Sequence, residues 1–333
     1  MMKEHEPEVM TGSGNGGAST AMDALVERLR AVLSAGARLL RDEPMSKRTT
    51  WRVGGPVDVW VEPADEEDLA RVVRECREAR VPVLVVGRGS NLLVSDSGFR
   101  GVVVALHGEG WQRVEVDGTR LRCGAGARLK VVAGVARDAG LGGLEFLEGI
   151  PGSVGGALRM NAGAMGRCVF EVVERVRLMD GDGSVKEVEG SRLPVRYRSC
   201  DGLEGRIALG AVLRGEPASR EEIQARMQEY SRRRWATQPA APSAGCVFKN
   251  PAGVSAGRLL DELGCKGWRE GGARVSEVHA NFIVTEPGAT AADVLRLIRR
   301  LQEHVKRERG LTLEPEVRIV GGQEGEERCW IAG

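Results

Sequence analysis

Nine glycines fall within the twenty-seven residues 140–166, GLGGLEFLEGIPGSVGGALRMNAGAMG. A segment with so little side chain adds little to a core and suits a backbone that must lie close against a large flat surface. A second glycine loop, Gly87-Arg88-Gly89-Ser90-Asn91, follows directly on the apolar run PVLVV. Glycines there permit a tight turn that aims N–H groups at an anion, and Ser90 and Asn91 add side-chain donors. The loop does not match G-x-G-x-x-G, and a strand pattern rather than a helix follows it, so a Rossmann site is disfavoured. Either loop alone reads equally well as a turn-rich connection. Together, on one strand-rich domain, they favour a dinucleotide.

That domain is legible around them. Between residue 51 and about 212 the short Val-rich runs VDVWVEP, VPVLVVGRG, GVVVAL and RVEVDGTRLRCG read as strands. Helices are predicted over 65–79, where Leu69, Val72, Val73 and Cys76 share a face, and over 128–139. Upstream, residues 1–18 are polar and glycine-rich and read as a disordered tail. A helix follows from Ser19 or Thr20, with Met22, Leu25, Val26, Leu29, Val32 and Leu33 at helical spacing and Gly36 as its stop. The first domain therefore spans 19–217, with its core from about 52. A second unit, 218–322, opens at the Ser219/Glu222 capping-box spacing, with Ile223, Met227 and Tyr230 as its apolar face. It ends with a helix over 290–309 stopped by Gly310, then a strand LTLEPEVRIV, then a loose tail over 323–333. The element pattern is that of an α+β or α/β fold.

Composition narrows the function. Forty-eight basic residues against forty-seven acidic ones leave no bulk field for nucleic acid or an anionic membrane. Seven scattered cysteines with no C-x-x-C pair suggest neither a disulfide framework nor a metal site. No secretory leader and no run of about 18 apolar residues is found, so a cytoplasmic protein is expected.

The residues also carry a resemblance. Gly54-Gly55-Pro56, the G-R-G-S-N loop, GLEFLEGIPGSVGGALRMNAGA, Tyr197-Arg198, SAGCVFKNP, VSEVHANFIV and LEPEVRI occur in that order between about 44 and 320. This series resembles the UDP-N-acetylmuramate dehydrogenase family, also called UDP-N-acetylenolpyruvoylglucosamine reductases or the MurB family. The resemblance implies an FAD-binding fold of the vanillyl-alcohol-oxidase (PCMH) type in two lobes, followed by a smaller α+β substrate domain. It implies FAD and NADPH as cofactors and UDP-N-acetylglucosamine enolpyruvate as substrate, reduced to UDP-N-acetylmuramate for peptidoglycan synthesis. The short interval between Tyr197-Arg198 and SAGCVF resembles the subgroup without an extra substrate loop.

By the same resemblance, Gly54, Gly55, Gly87, Gly89, Ser90, Asn91, Gly149, Gly152, Ser153, Gly155, Gly156, Asn161, Ala162 and Gly163 are expected to bind the cofactor. Tyr197, Lys249 and Asn250 are expected to contact substrate. Arg198 matches the family arginine, which can hold a carboxylate in a fork and stabilise an enolate. Cys246 stands where many members carry a proton-donating Ser, and a thiol near its ordinary pKa of about 8.5 is mostly protonated at neutral pH. Glu316 matches the family glutamate; Glu314, two residues away on the expected strand, would face the same side. Two features depart from the family pattern: Ser199-Cys200 follows Tyr-Arg, and Thr237 replaces a Lys before Gln238-Pro239. His279 and Asn281 read as structural positions on a strand. Competing readings are another flavin oxidase of the same fold and a non-catalytic nucleotide- or sugar-binding module.

Overall fold

The computed structural model describes residues 16–322, and the Val-rich runs build its first sheet. The strand order is Arg38–Pro44, Pro56–Glu62, Phe99–Ala105, Val83–Val86, antiparallel at the first pair and parallel at the other two. Helix α1 (Gly16–Val32) and helix α2 (Glu66–Glu78) belong to this layer. Asp65 caps α2, accepting from Asp68 N at 2.9 Å, and Leu69, Val72, Val73 and Cys76 are buried as the periodicity requires. Residues 16–18, expected in a disordered tail, are the first turn of α1; the remainder of that tail and the tail 323–333 lie outside the described residues.

The second lobe is a five-stranded antiparallel sheet in the order Val185–Glu189, Val173–Met179, Ile207–Arg214, Arg120–Gly124, Val114–Asp117. Helices α3 (Leu129–Asp138), α4 (Val154–Arg159) and α5 (Arg220–Thr237) complete it. The Ser219/Glu222 capping box starts α5, yet Ile223 and Met227 are buried in the second lobe's core. The helix expected to open the C-terminal domain thus packs with the preceding lobe, because its apolar face finds partners there.

The third core holds helices α6 (Ala256–Glu262) and α7 (Ala291–Arg309) with a sheet of Arg269–Glu270, Ala273–Val275 and Ile283–Thr285. Gly310 ends α7 in the left-handed region at φ 69°. This core is stitched to the first lobe. Trp51 is fully buried in it, donating from Nε1 to Ile283 O at 2.7 Å and accepting at its carbonyl from Thr285 Oγ1 at 2.6 Å. The Asp96 carboxylate accepts from Ala291 N and Ala292 N, each at 2.8 Å, so a first-lobe side chain satisfies the N-terminus of α7.

Only Arg318–Val320 of the expected strand 311–320 is a strand, pairing in parallel with Leu92–Val94. Pro315 lacks an N–H, and the available ladder partner is three residues long, so the segment before Arg318 is held by single backbone contacts instead. This return carries residue 316 back to the glycine loops. Among the described residues no helix is long and apolar enough to cross a membrane.

Candidate active site

The three cores meet around a cavity of about 380 Å³, within the usual range for small-molecule sites. Its walls include both glycine loops together with Arg198, Cys246, Phe282 and Glu316.

The first loop turns where Val83–Val86 ends. Gly89 has φ 63°, and a Cβ there would sit 2.2 Å from Arg48 O, so packing alone demands glycine. Ser90 and Asn91, expected to donate to phosphate, donate within the protein. Ser90 Oγ donates to Pro151 O at 2.9 Å, tying the two glycine loops together. Asn91 Nδ2 donates to Glu316 O at 3.0 Å, while Arg318 N donates to Asn91 O at 3.1 Å. Asn91 therefore fastens the backbone of Glu316 to the loop.

The second loop behaves differently. A Cβ on Gly149 or Gly156 would meet nothing closer than Ala164 Cβ at 3.7 Å or Ser153 Oγ at 3.8 Å, and neither glycine has a positive φ. Neither internal packing nor backbone strain explains glycine at these two positions; both line the cavity, where bare backbone lets a flat ligand approach. Beside them Arg88 lines the wall, and burial together with neighbouring Arg128 pushes its pKa down. Two guanidiniums brought together in this way are suited to an anion. These observations fit an FAD: open glycine backbone for the ring system, and Gly87, Arg88 and Gly89 for its phosphates.

Register pairs Arg196 with Ser199, so Tyr197 and Arg198 form a two-residue hairpin turn with Arg198 at φ 58°. Such a conformation costs a non-glycine residue about 1–3 kcal/mol and persists where the surroundings enforce it. The turn is closed by Asp201, which accepts from Ser199 Oγ at 2.8 Å and pairs with Arg196 at 2.7 Å. Arg198 Nε lies 2.7 Å from Glu316 Oε1, both side chains being mostly buried at 21% and 13% exposure. The Nε–H is not well aligned on that oxygen and makes no well-aligned hydrogen bond among the described residues.

Electrostatics follow from this burial. Burial disfavours the charged Arg198, but Glu316, Tyr197 and Cys246 together outweigh it and the guanidinium pKa is raised. Burial pushes the Glu316 carboxyl up, against the pull of Arg198 and Lys249. Burial, reinforced by Glu316 and opposed by Arg198, pushes the Cys246 thiol up to about 12. At neutral pH Cys246 is a thiol.

Several expected site residues fall elsewhere. Gly54 and Gly55 do not line the cavity; a Cβ on Gly55 would lie 2.1 Å from Asp96 O, so close chain crossing explains it. Asn161 is buried behind the wall, donating to Arg196 O at 3.2 Å and accepting from Phe170 N at 3.4 Å. Lys249 pairs with Glu314, and Asn250 Oδ1 accepts from Ala256 N at 2.9 Å at the start of α6; neither lines the cavity. Tyr197 is 52% exposed, its ring 5.2 Å from the Arg198 guanidinium carbon. Gly87, Gly89, Ser90, Asn91, Gly149, Gly152, Ser153, Gly155, Gly156, Ala162 and Gly163 all line the cavity, as do Arg198, Cys246 and Glu316. Glu314 and Glu316 are separated, Glu314 being 69% exposed. His279 and Asn281 precede the strand rather than lie on it.

Sequence reasoning missed Arg88 and Arg234 as cavity residues. Arg88 was visible inside the glycine loop. Arg234, which burial pushes to lower pKa against the pull of Glu148, lay in a run of three arginines indistinguishable from a solvated helix end.

Residues 57–189 match the family described as FAD binding domain, and 238–320 the family described as UDP-N-acetylenolpyruvoylglucosamine reductase, C-terminal domain. The chain is similar to the UDP-N-acetylenolpyruvoylglucosamine reductase of Geobacter metallireducens, 48% identical over 304 residues, covering 90% of this chain and 99% of that protein. The corresponding protein of Pelobacter propionicus is 47% identical over 285 residues, covering 85% and 96%. The crystal structure of UDP-N-acetylenolpyruvylglucosamine reductase from Thermus caldophilus superposes with a TM-score of 0.76 at 40% identity, covering 85% of this chain and 99% of that one.

Proposed function

This chain belongs to the UDP-N-acetylenolpyruvoylglucosamine reductase family and is an FAD-binding oxidoreductase, and we propose that Arg198, Cys246 and Glu316 carry its chemistry on UDP-N-acetylglucosamine enolpyruvate, with NADPH as reductant. The observation that carries the reading is the Arg198–Glu316 pair beside a protonated Cys246 in a cavity walled by open glycine backbone.

When bound and reduced, FAD supplies a hydride from N5. Gly87, Arg88, Gly89 and the second glycine loop would hold it. On the substrate, hydride addition at the terminal enolpyruvyl carbon leaves negative charge on the neighbouring carbon and its carboxylate. Arg198, which lines the cavity beside Glu316, would bind that carboxylate and stabilise the enolate. Approach of the substrate carboxylate disfavours ionisation of Glu316 further, because two close carboxylates do not easily both ionise. Protonated Glu316 then donates a hydrogen bond to the substrate and frees Arg198. The Cys246 thiol gives its proton to the carbanionic carbon; the resulting thiolate is stabilised by Arg198 and regains a proton from solvent. One hydride and one proton convert the enolpyruvyl ether to the lactyl ether of UDP-N-acetylmuramate. The cytoplasm is the compartment this reading implies, both reductant and substrate being soluble nucleotides.

A steady-state assay tests it. NADPH oxidation should require the enolpyruvyl substrate and yield one UDP-N-acetylmuramate per NADPH, identified by mass. NADPH consumption with no such product would refute the substrate assignment.

A further inference from the structure

We propose that Asn281 is a positioning residue for proton transfer, setting the register of Cys246 against Glu316 by clamping the backbone of Phe248. The proposal rests on the assignment of Cys246 as proton donor made above.

Asn281 is buried, at 3% exposure, and both ends of its amide are used on one neighbour. Phe248 N donates to Oδ1 at 2.9 Å, and Nδ2 donates to Phe248 O at 2.8 Å. Its backbone continues the pattern, Asn281 O accepting from Val247 N at 2.8 Å. On the opposite edge of the same segment, Glu316 N donates to Val247 O at 2.7 Å and Lys249 N donates to Glu314 O at 2.9 Å. The stretch bearing Cys246 is thus a middle rung between Asn281 and Glu316.

No strand exists around Asn281 to supply this pairing; Ile283–Thr285 begins two residues later. An asparagine side chain carries one donor face and one acceptor face and so reproduces, for one residue, what a neighbouring strand would provide. Asn281 is itself oriented by its N–H donating to His279 Nδ1 at 3.1 Å. With Phe248 held, the segment cannot slide along residues 314–317, and Cys246 stays beside Glu316. An aliphatic residue would leave the N–H and C=O of Phe248 buried without partners and release that register.

The test compares half-reactions in the FAD-loaded enzyme carrying Asn281→Ala or Asn281→Asp. Reoxidation of the NADPH-reduced enzyme by the enolpyruvyl substrate should slow about 100-fold in Asn281→Ala, the scale of a small misplacement of reacting groups, while reduction by NADPH is retained. Asn281→Asp, which keeps an acceptor for Phe248 N, should lose less. In parallel, iodoacetamide labelling of Cys246, located by peptide mass, should be faster in both variants. Equal slowing of both half-reactions would overturn the proposal, as would unchanged reoxidation with unchanged labelling. If reoxidation is unchanged but labelling is faster, the failure lies in Cys246 as donor rather than in the clamp. Should Asn281→Ala not fold, Asn281→Asp decides on the same two rates.

Discussion

Asn91 and Glu316, 225 positions apart in the chain, are joined by a hydrogen bond from Asn91 Nδ2 to the Glu316 carbonyl at 3.0 Å. A loop that walls one side of the cavity therefore holds the backbone of a carboxylate residue that also lines it, and the short parallel pairing of Arg318–Val320 with Leu92–Val94 continues the connection. Lobe and C-terminal domain build the site jointly.

Arg198 is expected to act through its fork. Arg198→Lys retains charge but not bidentate geometry, and kcat should fall about 10²-fold or more, in the range of lost transition-state donors. Reduction of bound flavin by NADPH should persist in stopped-flow traces. A variant that turns over at the parental rate would remove Arg198 from enolate stabilisation.

Cys246 is expected to be replaceable only by another protic group. Cys246→Ser should support turnover, whereas Cys246→Ala should lose about 10²–10⁴-fold in reoxidation by substrate, the scale of general acid catalysis. Unchanged turnover in the alanine variant would show that the proton comes from elsewhere.

The pH profile separates the two acids. Burial holds the Glu316 carboxyl above its ordinary value, so its proton is present below that raised value and lost as pH rises through it. Turnover that needs protonated Glu316 should therefore fall on the alkaline side. Cys246, pushed up to about 12, cannot produce a limb in the neutral range. Glu316→Gln should remove the limb and Cys246→Ser should leave it in place; the reverse pattern in kcat profiles would exchange their roles.

Stability tests the seam between lobes. Trp51→Phe leaves the Ile283 carbonyl unpaired in a buried setting and should cost about 1–3 kcal/mol. Asp96→Ala removes the acceptor for Ala291 N and Ala292 N in the first turn of α7 and should cost about 1 kcal/mol. Urea denaturation of each variant measures both, and parental midpoints would mean that the seam contributes little.

What could be read in advance follows from what is local. The capping box at Ser219 and the stop at Gly310 are short-range chemistry, and helix α5 starts and helix α7 ends where those residues placed them. Where α5 packs was not legible, because the partners of Ile223 and Met227 come from other segments. The strand over 311–320 shrank to three residues for want of a longer partner. In the site, Arg198, Cys246 and Glu316 were found through the order of motifs rather than through periodicity. Lys249 and Asn250 were drawn off by an ion pair and a helix start, and Asn281 looked merely structural because its partner, Phe248, lies thirty-three positions away.

The central claim is that one cavity accepts reducing equivalents from NADPH and delivers them to the enolpyruvyl ether. An anaerobic absorbance trace of the purified, FAD-loaded protein tests it in two additions. NADPH should bleach the flavin band, and UDP-N-acetylglucosamine enolpyruvate should then restore it. Bleaching that this substrate fails to reverse would contradict the claim.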